Sequence, residues 1–126
     1  MSLTPPISFK VRATLSAYRI VAHDTAGAGF VVYPSAASAQ PIGITVNDVK
    51  DINESIAVCL SGPQKCYFND TMSSGSLVAS DSSGRAVPHV DVTAGSYIIG
   101  RLMGNAVTQT GTLALVNVNP FFKSVP

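Results

Sequence analysis

Between Gly75 and Met103 the chain reads GSLVASDSSGRAVPHVDVTAGSYIIGRLM, and this stretch restricts the fold more than any other. Two short apolar runs enclose an Asp81-Ser82-Ser83-Gly84 turn, Pro88 breaks the second run, and a third continues to Met103. Runs of this length bounded by turn residues read as strands joined by tight connections. The rest of the chain is punctuated in the same way. Ile7, Phe9, Val11 and Ala13 alternate with Ser8, Lys10, Arg12 and Thr14, the period of a half-buried strand. Further runs span Ala17 to Val21, Gly29 to Tyr33, Pro41 to Val46, Ile56 to Leu60, Lys65 to Phe68 and Thr112 to Val118.

Helix signals are poor. Ser35-Ala36-Ala37-Ser38-Ala39 lies between Pro34 and Pro41 and has room for one turn at most. Asp48 to Glu54, acidic around Lys50, reads as a solvated hairpin loop. The expected fold is all-β: a small antiparallel β-barrel or β-tulip-like sandwich with an extended N-terminal arm and little or no helix. The expected boundaries are an arm over 1–9, a barrel over 10–118 and a C-terminal tail over 119–126. Pro5-Pro6 biases the arm to extended polyproline geometry. In the tail, Phe121 and Phe122 follow Pro120 and either cap their own barrel or dock on a partner. Thr112 to Val118 is apolar on both faces, which suits a central strand or one covered by a neighbouring subunit.

At 126 residues the chain is expected to form one domain. Only 12% of residues are charged, the formal net charge is +1, and neither sign is clustered in a block. Binding to nucleic acid through phosphate neutralisation has little to work with. A surface this sparse in charge favours association between protein molecules. No apolar run approaches the ~20 residues of a membrane-spanning helix, and no membrane partner is expected. Met1 to Pro6 lacks the pattern of a secretory signal, so synthesis in a cytoplasm is expected. A two-residue Gly62-Pro63 turn would set Cys59 opposite Cys66 within disulfide reach, but proline is disfavoured at that turn position. The two are read as reduced thiols packing as small hydrophobes.

The chain is read as non-enzymatic, with no catalytic residue, metal site or cofactor expected. His23-Asp24 and His89 with Asp91 are the histidine–carboxylate pairings, and two groups make no zinc site. Glu54 is the sole glutamate and no close carboxylate pair is apparent. No GxSxG elbow is present, and Gly27-Ala28-Gly29 lacks the remaining glycine of a dinucleotide loop. Tyr18, Tyr33, Tyr67 and Tyr97 are scattered; Tyr67 and Tyr97 are candidates for a carbohydrate platform, with ordinary sheet packing the plainer reading.

Several pieces, in order, resemble the head-decoration (capsid cement) proteins of tailed bacteriophages. They are Pro41-Ile-Gly-Ile44, Glu54 to Gly62 followed by Lys65, Gly75 to Pro88, Ala94 to Leu102 and Gly111 to Val118. The resemblance implies a small barrel, usually trimeric, on the outer surface of the virion head at three-fold or quasi-three-fold positions. It implies the major capsid protein and further copies of the chain as partners, and stabilisation of the shell against DNA pressure. Candidate capsid or trimer contacts are Leu3, Pro5, Pro6, Ile7 and Phe9 of the arm, with Phe121 and Phe122 of the tail. Other phage structural roles, at a tail or fibre base, and a small carbohydrate-binding module are the alternatives.

Overall fold

The structure is a computed structural model that describes residues 7–11, 13–23, 29–34, 41–51, 54–81, 83–88 and 96–123, with the backbone alone at 96–97 and 121–123. Ten strands form, and the described residues contain no helix. They are β1 (Ile7–Val11), β2 (Ile20–His23), β3 (Phe30–Val32), β4 (Pro41–Thr45), β5 (Ser55–Cys59), β6 (Gly62–Phe68), β7 (Leu77–Ser80), β8 (Ala86–Pro88), β9 (Ser96–Leu102) and β10 (Thr112–Lys123). The fold is all-β, and each strand overlaps an apolar run of the sequence.

The expected single barrel is two. β1 to β5 close in the order β1-β3-β2-β4-β5, and β6 to β10 close separately in the order β6-β8-β7-β9-β10. The expected boundaries shift accordingly. Ile7, Ser8 and Phe9 pair with Val58, Ala57 and Ile56 of β5, so 7–9 belong to the barrel rather than to an arm. β10 continues past 118 to pair Phe121, Phe122 and Lys123 with Ile98, Tyr97 and Ser96 of β9. The register slips between Val118 and Phe121, and Pro120, which has no N–H for a ladder, lies inside that bulge. Gly62 and Pro63 are not a turn but the start of β6, opposite Val118 and Asn117.

The two barrels are the same structure made twice. In each, the first and third strands run parallel and the remaining neighbours antiparallel. Lone bridges Leu15–Val49 and Met72–Val107 occupy matching places. Left-handed backbone recurs at Tyr18 (φ 63°) and Gly75 (φ 80°). Gly43 and Gly100 sit against the backbone oxygens of Cys59 and Asn117, where a β-carbon would collide. Three of these pairs lie 57 positions apart (72 less 15, 75 less 18, 100 less 43), and Val49 and Val107 lie 58 apart.

Strand alternation sorts the apolar side chains into two cores. Val11, Val21, Val31, Ile56 and Val58 fill the first barrel. Cys66, Phe68, Val78, Ala86, Leu102, Val116 and Val118 belong to a second cluster, which also takes in Ile20, Ile44 and Cys59 from the outside of the first barrel. The barrels therefore share one continuous apolar contact. Backbone bonds reinforce it: Tyr67 N–H donates to Tyr18 O (2.9 Å) and Ile20 N–H donates to Gly84 O (2.7 Å).

Candidate assembly surface

β10 lies between β6 and β9, so both of its edges are hydrogen-bonded. Its inward residues Val116 and Val118 are buried, while Leu113 and Leu115 on the opposite face are 38% and 42% exposed. The strand is central in its sheet, yet one apolar face is left to solvent. Met103 at the end of β9, 37% exposed, donates its N–H to Leu115 O (2.9 Å) and extends the patch. Lys65 stands across from Leu115, and Arg101 across from Asn117, so cations border it. A shallow groove of about 400 Å³ runs along the same face, lined by Met103, Asn105, Thr108, Gln109, Leu113 and Leu115 among others. Its floor is aliphatic and its rim amide and hydroxyl, a lining suited to protein contact.

The junction between the barrels is built around Arg19. Its guanidinium lies 6.0 Å from the Tyr33 ring centre and 5.2 Å from that of Tyr67, and Nη1 donates to Ser83 O (3.1 Å). Thr45, fully buried, secures the backbone beside it: its hydroxyl donates to Ser16 O (2.7 Å) and accepts from Arg19 N–H (3.0 Å). The 81–84 turn is held by Asp81, whose carboxylate accepts from Ser83 N–H, Arg85 N–H, Arg85 Nε and Asn69 Nδ2. The turn thus presents Gly84 to β2 at a distance that no side chain fits, since a β-carbon would stand 2.6 Å from Ile20 O.

Of the expected contact residues, Ile7 and Phe9 are the ones whose side chains are described. Leu3, Pro5 and Pro6 lie outside the described residues, as do His89, Asp91 and Asp24. Ile7 is 47% exposed, but Phe9 is half-buried against the first core and meets His23 edge-on at 5.9 Å. Phe121 and Phe122 continue β10 in their backbone, and their side chains are not described. Of the tyrosines proposed as a sugar platform, Tyr67 is engaged by Arg19. The side chain of Tyr97 lies outside the described residues. Cys59 and Cys66 are free and buried. Burial pushes the Cys66 thiol up to about 12 and raises that of Cys59 as well. Among the described residues no group of three metal-ligating side chains converges. In the 47–54 loop, a hydrogen bond from Asp51 and the nearby like charge raise the Glu54 carboxyl, and both groups are solvated.

The sequence reading missed the Met103–Leu113–Leu115 patch as a site. Its signal was present, in that β10 is apolar on both faces, but nothing in the sequence says which face the fold leaves bare.

No protein-family model matches the chain, and no curated protein matches it. Among solved structures, the chain is similar to the head fiber gp8.5 N base of bacteriophage phi29, with a TM-score of 0.70 and 15% identity over 90% of this chain and 92% of that one. The two share a fold over about nine-tenths of each chain.

Proposed function

We propose that this chain is a non-enzymatic structural protein of a phage head, attached to the outer surface of the shell as a homotrimer. The observation that carries the reading is the fold shared with a head fiber base across nearly the whole of both chains. The ordered resemblance to capsid cement proteins supports it independently. An apolar face bordered by few charges supports a role in protein contact.

The mechanism is mass action. A protein that binds the assembled shell and not free subunits stabilises the shell by about 2.7 kcal/mol per site at a hundred-fold excess over Kd. A trimer at a three-fold position engages several capsid subunits at once and gains avidity without a new kind of contact. With 12% charged residues, binding rests on apolar burial and depends only mildly on salt. A second reading, favoured by the identity of the structural neighbour, is that the two barrels form the base of a fibre anchored on the head.

Adding purified protein to undecorated heads tests the proposal. The expected result is saturable binding in threes with a higher shell-disruption temperature. Absence of binding sinks both readings, and binding without thermal protection leaves the fibre base.

A further inference from the structure

Each barrel has one short segment that leads into its second strand, and the two segments are built alike. In the first barrel it is 18–20. Tyr18 N–H donates to Thr45 O (2.9 Å) and Thr45 N–H donates to Arg19 O (2.8 Å), which fixes the inner edge to β4. The outer edge joins the other barrel: Tyr18 O accepts from Tyr67 N–H (2.9 Å), and Ile20 N–H donates to Gly84 O (2.7 Å). In the second barrel the segment is 75–77. Gly75 N–H donates to Leu102 O (3.0 Å), and Leu102 N–H donates to Ser76 O (3.0 Å). Ile20 pairs with Ile44 as Leu77 pairs with Arg101, and the matched positions keep the offset of 57 (77 less 20, 101 less 44, 102 less 45).

Gly75 O is therefore the counterpart of Tyr18 O. Its donor is a side chain of its own barrel: Arg101 Nη1 reaches it at 3.0 Å. Arg101 stands across from Leu77, so Gly75 is its diagonal neighbour, within range of a long side chain. At the same place the first barrel has Ile44, buried and without a donor to offer. The edge committed to the other barrel thus runs beside an isoleucine, and its counterpart runs beside an arginine that fills its acceptor. A second exchange acts in the same direction. Arg19, which lies over Tyr33 and Tyr67 and bonds Ser83 O, has Ser76 as its counterpart.

We propose that Arg101 is an edge cap, whose guanidinium occupies the Gly75 carbonyl and keeps 75–77 of one copy from taking the place of 18–20 on another. Each chain carries two edges of one design and one receiving site, Tyr67 N–H with Gly84 O. An uncapped sheet edge is a template for pairing with other chains, and charged side chains are a common guard. Tethering gives the chain's own 18–20 segment a high effective concentration at the receiving site. Arg101 disables the competitor, and the cap operates whether or not the chain binds heads.

Sedimentation velocity on the full chain tests the cap. Arg101→Ile gives the second edge the neighbour that the first edge has, and Arg19→Ala loosens the receiving site. The double variant Arg19→Ala/Arg101→Ile is expected to form species larger than the wild type that grow with protein concentration. Arg19→Ala alone and Arg19→Ala/Arg101→Lys, which keeps a donor of similar reach, are expected to sediment as the wild type does. So is Arg19→Ala/Lys10→Ala, which loses the same charge from exposed Lys10 on β1. Arg101→Ile alone, at an exposed site, guards against a double variant that fails to fold. It is read after refolding at high protein concentration, when both edges compete before the barrels have docked, and should give more of the larger species than the wild type. Wild-type sedimentation of both Arg101→Ile variants overturns the inference. Equal growth of the Lys10→Ala variant overturns it as well, because lost charge would then be the cause.

Discussion

At the scale of single residues, glycine makes the close approaches between neighbouring strands. Gly43 and Gly100 each let the preceding part of the neighbouring strand approach, and a β-carbon at either would meet backbone oxygen and a valine Cγ1. Gly100→Ala is expected to lose about 1–3 kcal/mol through overpacking, read as a lower denaturant midpoint at unchanged m-value. Gly43→Ala should lose a similar amount because it occupies the same place in the other barrel. Cys66 makes a second prediction. Its folded pKa of about 12 lies above the ordinary value of 9.0, so the native state holds its proton more tightly than the unfolded chain. The associated stability is fully present below pH 9 and is lost as pH rises toward 12. Denaturation midpoints across that range should fall, and Cys66→Ala should fall less steeply from a lower starting stability.

At the scale of elements, the sequence announced its strands well because β-branched runs and turn residues are local signals. Ile7 to Val11, Phe30 to Val32 and Pro41 to Thr45 lie where alternation and turn punctuation placed them. Where the reading failed, proline was the cause. Pro63 and Pro88 looked like breaks, yet both sit in strands, opposite Asn117 and Val78. A single missing N–H is tolerated where the ladder is short or just beginning, and residue chemistry does not say where that is. One buried hydroxyl holds the start of β2 to β4. Thr45→Val keeps the shape but leaves Ser16 C=O and Arg19 N–H without their partner, at an expected cost of about 1–3 kcal/mol by chemical denaturation.

At the scale of the whole molecule, one apolar cluster spans both barrels, and they should unfold together. Fluorescence and circular dichroism transitions are expected to coincide. Splitting the chain between 60 and 61 should leave both fragments without dispersed amide resonances, since each would expose the shared contact. Arg19→Ala removes the guanidinium between Tyr33 and Tyr67 and its bond to Ser83 O. A loss of about 1–3 kcal/mol is expected, and the transition should stay single because the apolar contact remains.

The sequence by itself determined the class of fold and the positions of its strands, because these follow from local periodicity and from the chemistry of individual residues. Only the tertiary structure decided that the strands close twice, that the second barrel repeats the first, and which face of β10 is bare. The physical reason is visible at matching positions. Ile44 and Arg101, or Cys59 and Asn117, occupy equivalent sites, yet one of each pair is buried against a barrel and the other faces solvent. Environment, not ancestry of position, set their chemistry, so the repeat is written in the backbone and register and is not legible in the side chains.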